Sequence, residues 1–259
     1  MTLTKFLLVI IFIAIGLVSN PKEAFSGQLA TRLEQYPNWN SKPSLQIAQG
    51  DLEYPDWIEG TWKVTSILVD LVAPLAPGYV TPGFEGNYRY LEKPIQFSVR
   101  FERKLFFIST QFPTISLVNG QLPIVADRAF NGLAIAQAYL GNDAVFSVKV
   151  DPNNPNRQIT LLANERQLIS TITARESETP EPKEFISTEI TQQIFRSKSQ
   201  IYFNEVETTT AYQLLESGEI EANQITAIYL SPQDPNYFKT NEHPVALYRY
   251  HLQLARSTS

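Results

Sequence analysis

Between Thr61 and Leu254 the chain is a succession of β-favouring runs separated by short polar turns, and this pattern limits the fold more than any other feature. Thr61–Val72 is rich in Val, Ile, Leu and Thr, and ends at Ala73-Pro74. Ile95–Phe101 and Leu105–Phe112 flank Glu102-Arg103-Lys104 and read as a hairpin. Ala144–Val150 and Arg157–Leu162 flank the turn-forming stretch Asp151–Asn156, and Gln167–Ala174 follows Asn164-Glu165-Arg166 as another hairpin. Ile186–Arg196, Gln200–Leu215, Gln224–Leu230 and Val245–Leu254 complete a set of about ten strands. Short connections between so many strands predict an antiparallel barrel or sandwich. The acidic, proline-bearing stretch Arg175–Glu184 reads as an exposed loop within that domain.

One segment has a different period. Asp127–Leu140 places Phe130, Leu133, Ala134 and Ala138 at helical spacing, with Ile135 beside them, and Gly141-Asn142 supplies a stop. Asp127 is suited to cap the helix N-terminus, and Asn131 and Gly132 permit close packing. Such a helix is expected to lie against the barrel wall or to cap one end. Upstream, Leu29, Arg32, Leu33 and Tyr36 mark one face of a short helix that Pro37 and Pro43 terminate.

The N-terminus carries Lys5 and then an apolar run, Phe6–Val18. Thirteen residues at about 1.5 Å rise are too few for a hydrocarbon core of roughly 30 Å. A cation, a short apolar centre and Ala24-Phe25-Ser26, with small residues at −3 and −1, predict a signal peptide over 1–26. A lead-in segment over 27–54 and a barrel domain over 55–259 would follow. The chain has no cysteine, which excludes disulfides, thiolate metal sites, a cysteine nucleophile and a lipoprotein anchor. An exported domain must then be held by its core, for which the 43% hydrophobic and 12% aromatic content is adequate. A net charge of −5 argues against general nucleic-acid binding.

The most specific local feature is Trp57-Ile-Glu-Gly-Thr-Trp62. Gly60-x-Trp62 opens the first long strand as in lipocalins, where the glycine allows close backbone approach and the indole closes the barrel floor. A cation near the end of the last strand commonly covers that indole; Arg256 is the best-placed candidate and Arg249 the alternative. The stretches Tyr54–Trp62, Ala73–Pro77, Pro82–Gly86, Ala126–Gly132 and Asn204–Thr210 resemble an uncharacterised family of cyanobacteria and plant chloroplasts. The resemblance extends from about Leu29 to Leu254. It implies export, to the thylakoid lumen in plants, and brings no catalytic residues.

Chemical motifs are scarce. No Gly-x-Ser-x-Gly elbow, HExxH, EF-hand loop or glycine-rich phosphate loop is present, and no cofactor or metal is expected. Strand polarity is more informative. Glu205, Glu207 and Thr209 share one face of their strand, while Asn204, Thr208 and Thr210 share the other with Val206. Tyr248, Tyr250, Leu252 and Leu254 form an apolar face. Solvent exposure is the ordinary expectation for each charge. The sharper expectation is that Glu205 or Glu207 turns into the barrel and pairs with Arg100 or Arg175, because a buried carboxylate needs such a partner. The candidate ligand-binding residues are therefore Arg100, Arg175, Glu205, Glu207, Tyr248 and Tyr250. The role these features favour is a non-enzymatic lipocalin-like carrier or sensor for an apolar or amphipathic molecule, a pigment or lipid, in the periplasm or thylakoid lumen. Two alternatives stand beside it. One is an assembly factor that presents the apolar loop Ala73–Phe84 to a photosynthetic membrane complex; the other is a barrel enzyme acting on a bound pigment.

Overall fold

A computed structural model describes residues 27–104, 121–240 and 242–257. The predicted signal peptide and the strand expected over 105–112 lie outside the described residues. Among the described residues, eleven strands and two α-helices are arranged as β1 Gln46–Ile47, β2 Gly60–Val72, β3 Pro94–Arg103, β4 Ile124–Ala126, β5 Val145–Asp151, β6 Asn154–Leu162, β7 Arg166–Glu178, β8 Glu184–Arg196, β9 Ile201–Leu214, β10 Ile220–Leu230 and β11 Ala246–Arg256. Helix α1 is Gln28–Glu34 and α2 is Arg128–Leu140.

The protein is mainly β, as the alternating runs require. Ten strands form one curled antiparallel sheet in the order β4-β3-β2-β11-β10-β9-β8-β7-β6-β5. The last strand returns to pair with the first long one, Arg256 opposite Trp62 and Leu254 opposite Val64. That pairing moves the seam of the sheet to the gap between β4 and β5. Helix α2 is the chain segment between those edges, and it packs against β3 on one side and β5 on the other.

The seam is closed by particular residues. Asp127 accepts a hydrogen bond from the Phe130 amide at 3.0 Å and so caps α2. One turn on, Asn131 Oδ1 accepts from the Arg100 amide at 2.7 Å, and Asn131 Nδ2 donates to the Arg100 carbonyl at 3.1 Å. One side chain thus serves the Arg100 backbone at the edge of β3 much as a neighbouring strand would, beside the Asp127 amide, which donates to the same carbonyl at 2.9 Å. Gly132 faces the other edge; a Cβ there would stand 2.7 Å from Gln158 Nε2 and 3.0 Å from Val148.

Several turns differ from expectation. Between β6 and β7, Asn164 and Glu165 both have positive φ, 60° and 56°, within the three-residue loop Ala163-Asn164-Glu165 that closes the hairpin. Strand β6 starts at Asn154, inside the stretch expected to be turn, because Asp151 and Asn154 side chains accept from the backbone two residues on and tighten the loop to Pro152-Asn153. The stretch Arg175–Glu184 is also shorter as a loop than expected. Strand β7 runs to Glu178 and β8 begins at Glu184, because Arg175 is buried and paired rather than solvated.

Both faces of the sheet are covered. On the concave face, Trp62, Val64, Val99, Phe101, Leu252 and Leu254 form a core. On the convex face, Trp39 of the lead-in packs on Ile225, Ala227, Tyr229 and Leu247. The lead-in is an external strap whose Leu29 and Trp39 are buried.

Candidate functional site

The site is a hollow between the concave face of the sheet and α2. Strand register fixes what faces it: Tyr212, Ala222 and Leu252 are successive cross-strand partners, as are Thr210, Gln224 and Tyr250. From α2, Asn131, Ile135 and Tyr139 repeat every four residues and present one face to the same space. The resulting cavity has a volume of about 310 Å³. A second lobe of about 260 Å³ adjoins it, with Tyr139, Thr226 and Tyr250 lining both.

Each end is closed differently. At the Gly60 end, Trp62 is fully buried and its indole N–H donates to the Ile58 carbonyl at 2.7 Å. The Arg256 guanidinium lies 4.6 Å from the Trp62 ring centre and donates to the Glu59 carbonyl at 3.2 Å. Gly60 has φ +124°, and a Cβ there would come within 3.2 Å of Arg256 Nη1. Tyr54 extends this floor with edge and tilted contacts to Phe101, Phe185 and Tyr212 at 4.8, 5.4 and 6.3 Å. At the other end the loop after β2 folds inward: Phe84 is buried on Leu68, Leu71 and Tyr248, and Asn87 donates to the Tyr248 hydroxyl at 3.0 Å. Tyr90 stacks edge-on against Tyr139 at 5.6 Å. Phe84, expected on an outward-facing contact loop, is therefore part of a lid.

No Asp, Glu, Lys, Arg or His lines either lobe among the described residues. The polar groups there are hydroxyls and amides. Burial pushes the Tyr212 phenol up to about 12 and raises Tyr139 and Tyr250 as well, so all three are proton donors at physiological pH. A larger hollow of about 420 Å³ lies around the β8–β9 turn and the C-terminal end of α2, between Leu140, Phe195 and Tyr202. It is bordered by the exposed Leu140 and Phe195 and also by the charged Arg166 and Arg196.

Residues 46–258 match a family described as a domain of unknown function, DUF6816. The chain belongs to that family. No curated protein and no solved structure matches it. In this DUF6816 member no group of three or more His, Cys, Asp or Glu side chains is placed to hold a metal ion, among the described residues. Among the same residues, no helix is long and apolar enough to cross a membrane.

The residues singled out from the DUF6816 sequence separate into two groups. Tyr248 and Tyr250 line the hollow, and Gly60, Trp62 and Arg256 meet at its floor. The expected charge pairs across the interior do not form. Glu205 and Glu207 lie on the convex face, because their neighbours Asn204 and Val206 take the concave one. Glu207 is fully buried beneath the strap and is held by Arg32, at 2.5 Å from Nε and 2.7 Å from Nη2. The Tyr229 hydroxyl donates to the same carboxylate at 2.8 Å, and Arg32 stacks 4.0 Å over Trp39. Glu205 pairs with Lys42 of the strap.

Arg100 points away from the hollow, bonded to Asp127 at 3.0 Å from Nε and stacked 4.5 Å over Phe130. Arg175 does share the concave face, but Glu189 at 3.0 Å, Asn156 at 2.6 Å and the Gly50 carbonyl at 2.7 Å hold its two terminal nitrogens, while Nε is buried without a partner. Three lining groups escaped the sequence reading. The Asn131, Ile135, Tyr139 stripe carried a detectable four-residue spacing. Gln224 and Thr226 alternate with Ile225 and so were separable by face. Tyr54 carried no such signal.

Proposed function

We propose that this protein is a non-enzymatic carrier or sensor that holds one small apolar or amphipathic molecule between its curled sheet and α2. The observation that carries this reading is the cavity between sheet and helix, apolar over most of its wall and free of charged side chains among the described residues. Concave, mostly apolar hollows with a few polar groups are the usual form of small-molecule sites.

Volume sets the ligand's scale. At about 30 Å³ per water molecule, the space ranges from roughly ten waters in the 310 Å³ lobe to roughly nineteen when the 260 Å³ lobe is included, or similar numbers of non-hydrogen ligand atoms. An acyl or isoprenoid segment, or a compact ring, matches that space. The N-terminal segment and the family resemblance support a setting outside the cytosol, in a periplasm or thylakoid lumen.

The test is binding of the uncharged fluorophore N-phenyl-1-naphthylamine, whose emission rises in an apolar site. Wild type should bind it saturably at one site. Thr226→Phe, which places a ring where the two lobes meet, should weaken binding at least tenfold with an unchanged far-ultraviolet circular dichroism spectrum. Equal binding by the folded variant would reject the cavity as the site.

A further inference from the structure

We infer that the ligand's polar group is a neutral hydrogen-bonding oxygen, an alcohol, ketone or ester, and that Tyr250, where the two lobes join, is the residue that receives it. This rests on the cavity reading above and narrows it to a chemical class. Three observations converge. First, every polar group lining either lobe is uncharged among the described residues, and the nearest ion pair on the same face, Arg175–Glu189, is closed on itself at 3.0 Å. A carboxylate or ammonium brought into this space would lose water and gain no counter-charge.

Second, the polar side chains around Tyr250 are largely committed to one another. Gln224 Oε1 accepts from Thr210 at 3.3 Å, Gln224 Nε2 lies 3.4 Å from Thr226 Oγ1, and Tyr139 shares a 3.4 Å contact with Ser66. The Tyr248 hydroxyl is engaged by Asn87. Tyr250, by contrast, has no hydrogen-bond partner among the described residues, although its ring is part of the wall of both lobes. A phenol in an apolar wall whose O–H has no protein partner is a donor available to an acceptor placed in the cavity.

Third, unsatisfied groups recur farther along the same face. The Asn204 carbonyl oxygen and the Tyr202 hydroxyl are buried without partners, and Asn204 stands opposite Gln193, which lines the second lobe. These two are neutral and suit a neutral polar molecule; the Arg175 Nε–H, also buried without a partner on this face, lines neither lobe.

The experiment measures dissociation constants of the full chain at pH 7.5 for five probes of one chain length: octane, octanol, octanone, octanoate and octylammonium. Octanol and octanone should bind at least tenfold more tightly than either ion. Tyr250→Phe should keep octane affinity within about twofold while reducing the preference for octanone over octane at least fivefold. Tightest binding of octanoate or octylammonium would overturn the inference and leave the cavity reading standing. An unchanged octanone preference in Tyr250→Phe would overturn the role of Tyr250. If none of the five binds, the cavity reading itself fails and this inference with it.

Discussion

The Arg32–Glu207 pair is the interaction whose removal should matter most, and its cost follows from its surroundings. Glu207 is fully buried, and its two oxygens take the guanidinium at 2.5 and 2.7 Å with Tyr229 at 2.8 Å. In Arg32→Ala the carboxylate would stay buried without its counter-charge, at a cost of about 3–5 kcal/mol. Peeling the strap away would rehydrate Glu207, but it would also expose Trp39, which is only 2% accessible. A tryptophan buries roughly 150–250 Å², worth about 4–6 kcal/mol at 25 cal/mol per Å². Neither response is cheaper, so a loss of at least about 3 kcal/mol is expected. With a urea dependence of about 3 kcal/mol per molar, the unfolding midpoint followed by tryptophan fluorescence should fall by about 1 M. Replacing both partners, Arg32→Met with Glu207→Leu, should recover most of the loss, leaving a coupling energy of about 2–4 kcal/mol. A midpoint shift below about 0.3 M for Arg32→Ala, or a double variant as unstable as the sum of the singles, would refute the reasoning.

Three further outcomes are expected. Asn131→Ala removes both hydrogen bonds to the Arg100 backbone; it should cost about 2 kcal/mol by urea unfolding and accelerate hydrogen exchange at the Arg100 amide. At the floor, Gly60→Ala forces a side chain onto φ +124° and should cost about 1–3 kcal/mol, whereas Arg256→Ala gives up only the stacking on Trp62 and one hydrogen bond, about 1 kcal/mol, both read from thermal melts. Burial acts to raise the Asp127 pKa, but the Phe130 amide and Arg100 outweigh it and hold the carboxyl below its ordinary value. Its ionised form therefore stabilises the fold above the unfolded aspartate pKa of about 3.9, and that contribution is lost as pH falls through the lower folded-state value. Asp127→Asn should accordingly be about 0.5–1 kcal/mol less stable than wild type at pH 7 and equal to it near pH 2, in urea unfolding at both pH values.

Much of the fold was readable from local patterns. The alternation of β-favouring runs and polar turns marked nine of the described strands, because a strand's period of two and the chemistry of its turns are set by nearby residues. Helix α2 was readable for the same reason: its spacing, its Asp127 cap and its Gly141 stop all lie within one segment. The alternation along β11 likewise put Tyr248 and Tyr250 on one face before any contact was known.

The sequence by itself therefore determined the elements, the two faces of each strand and the all-antiparallel class. Only the tertiary structure decided which face is concave. Period two separates Glu207 from Val206, but it does not say which of them looks inward when both faces are buried. In this protein the outer face is covered by a strap whose Arg32 lies 175 residues from Glu207, so burial of the carboxylate was no guide to its direction. The closing of the seam by Asn131 has the same origin. Its amide is polar and unremarkable in sequence, and its function exists only because β11 pairs with β2 and leaves the edge of β3 beside α2.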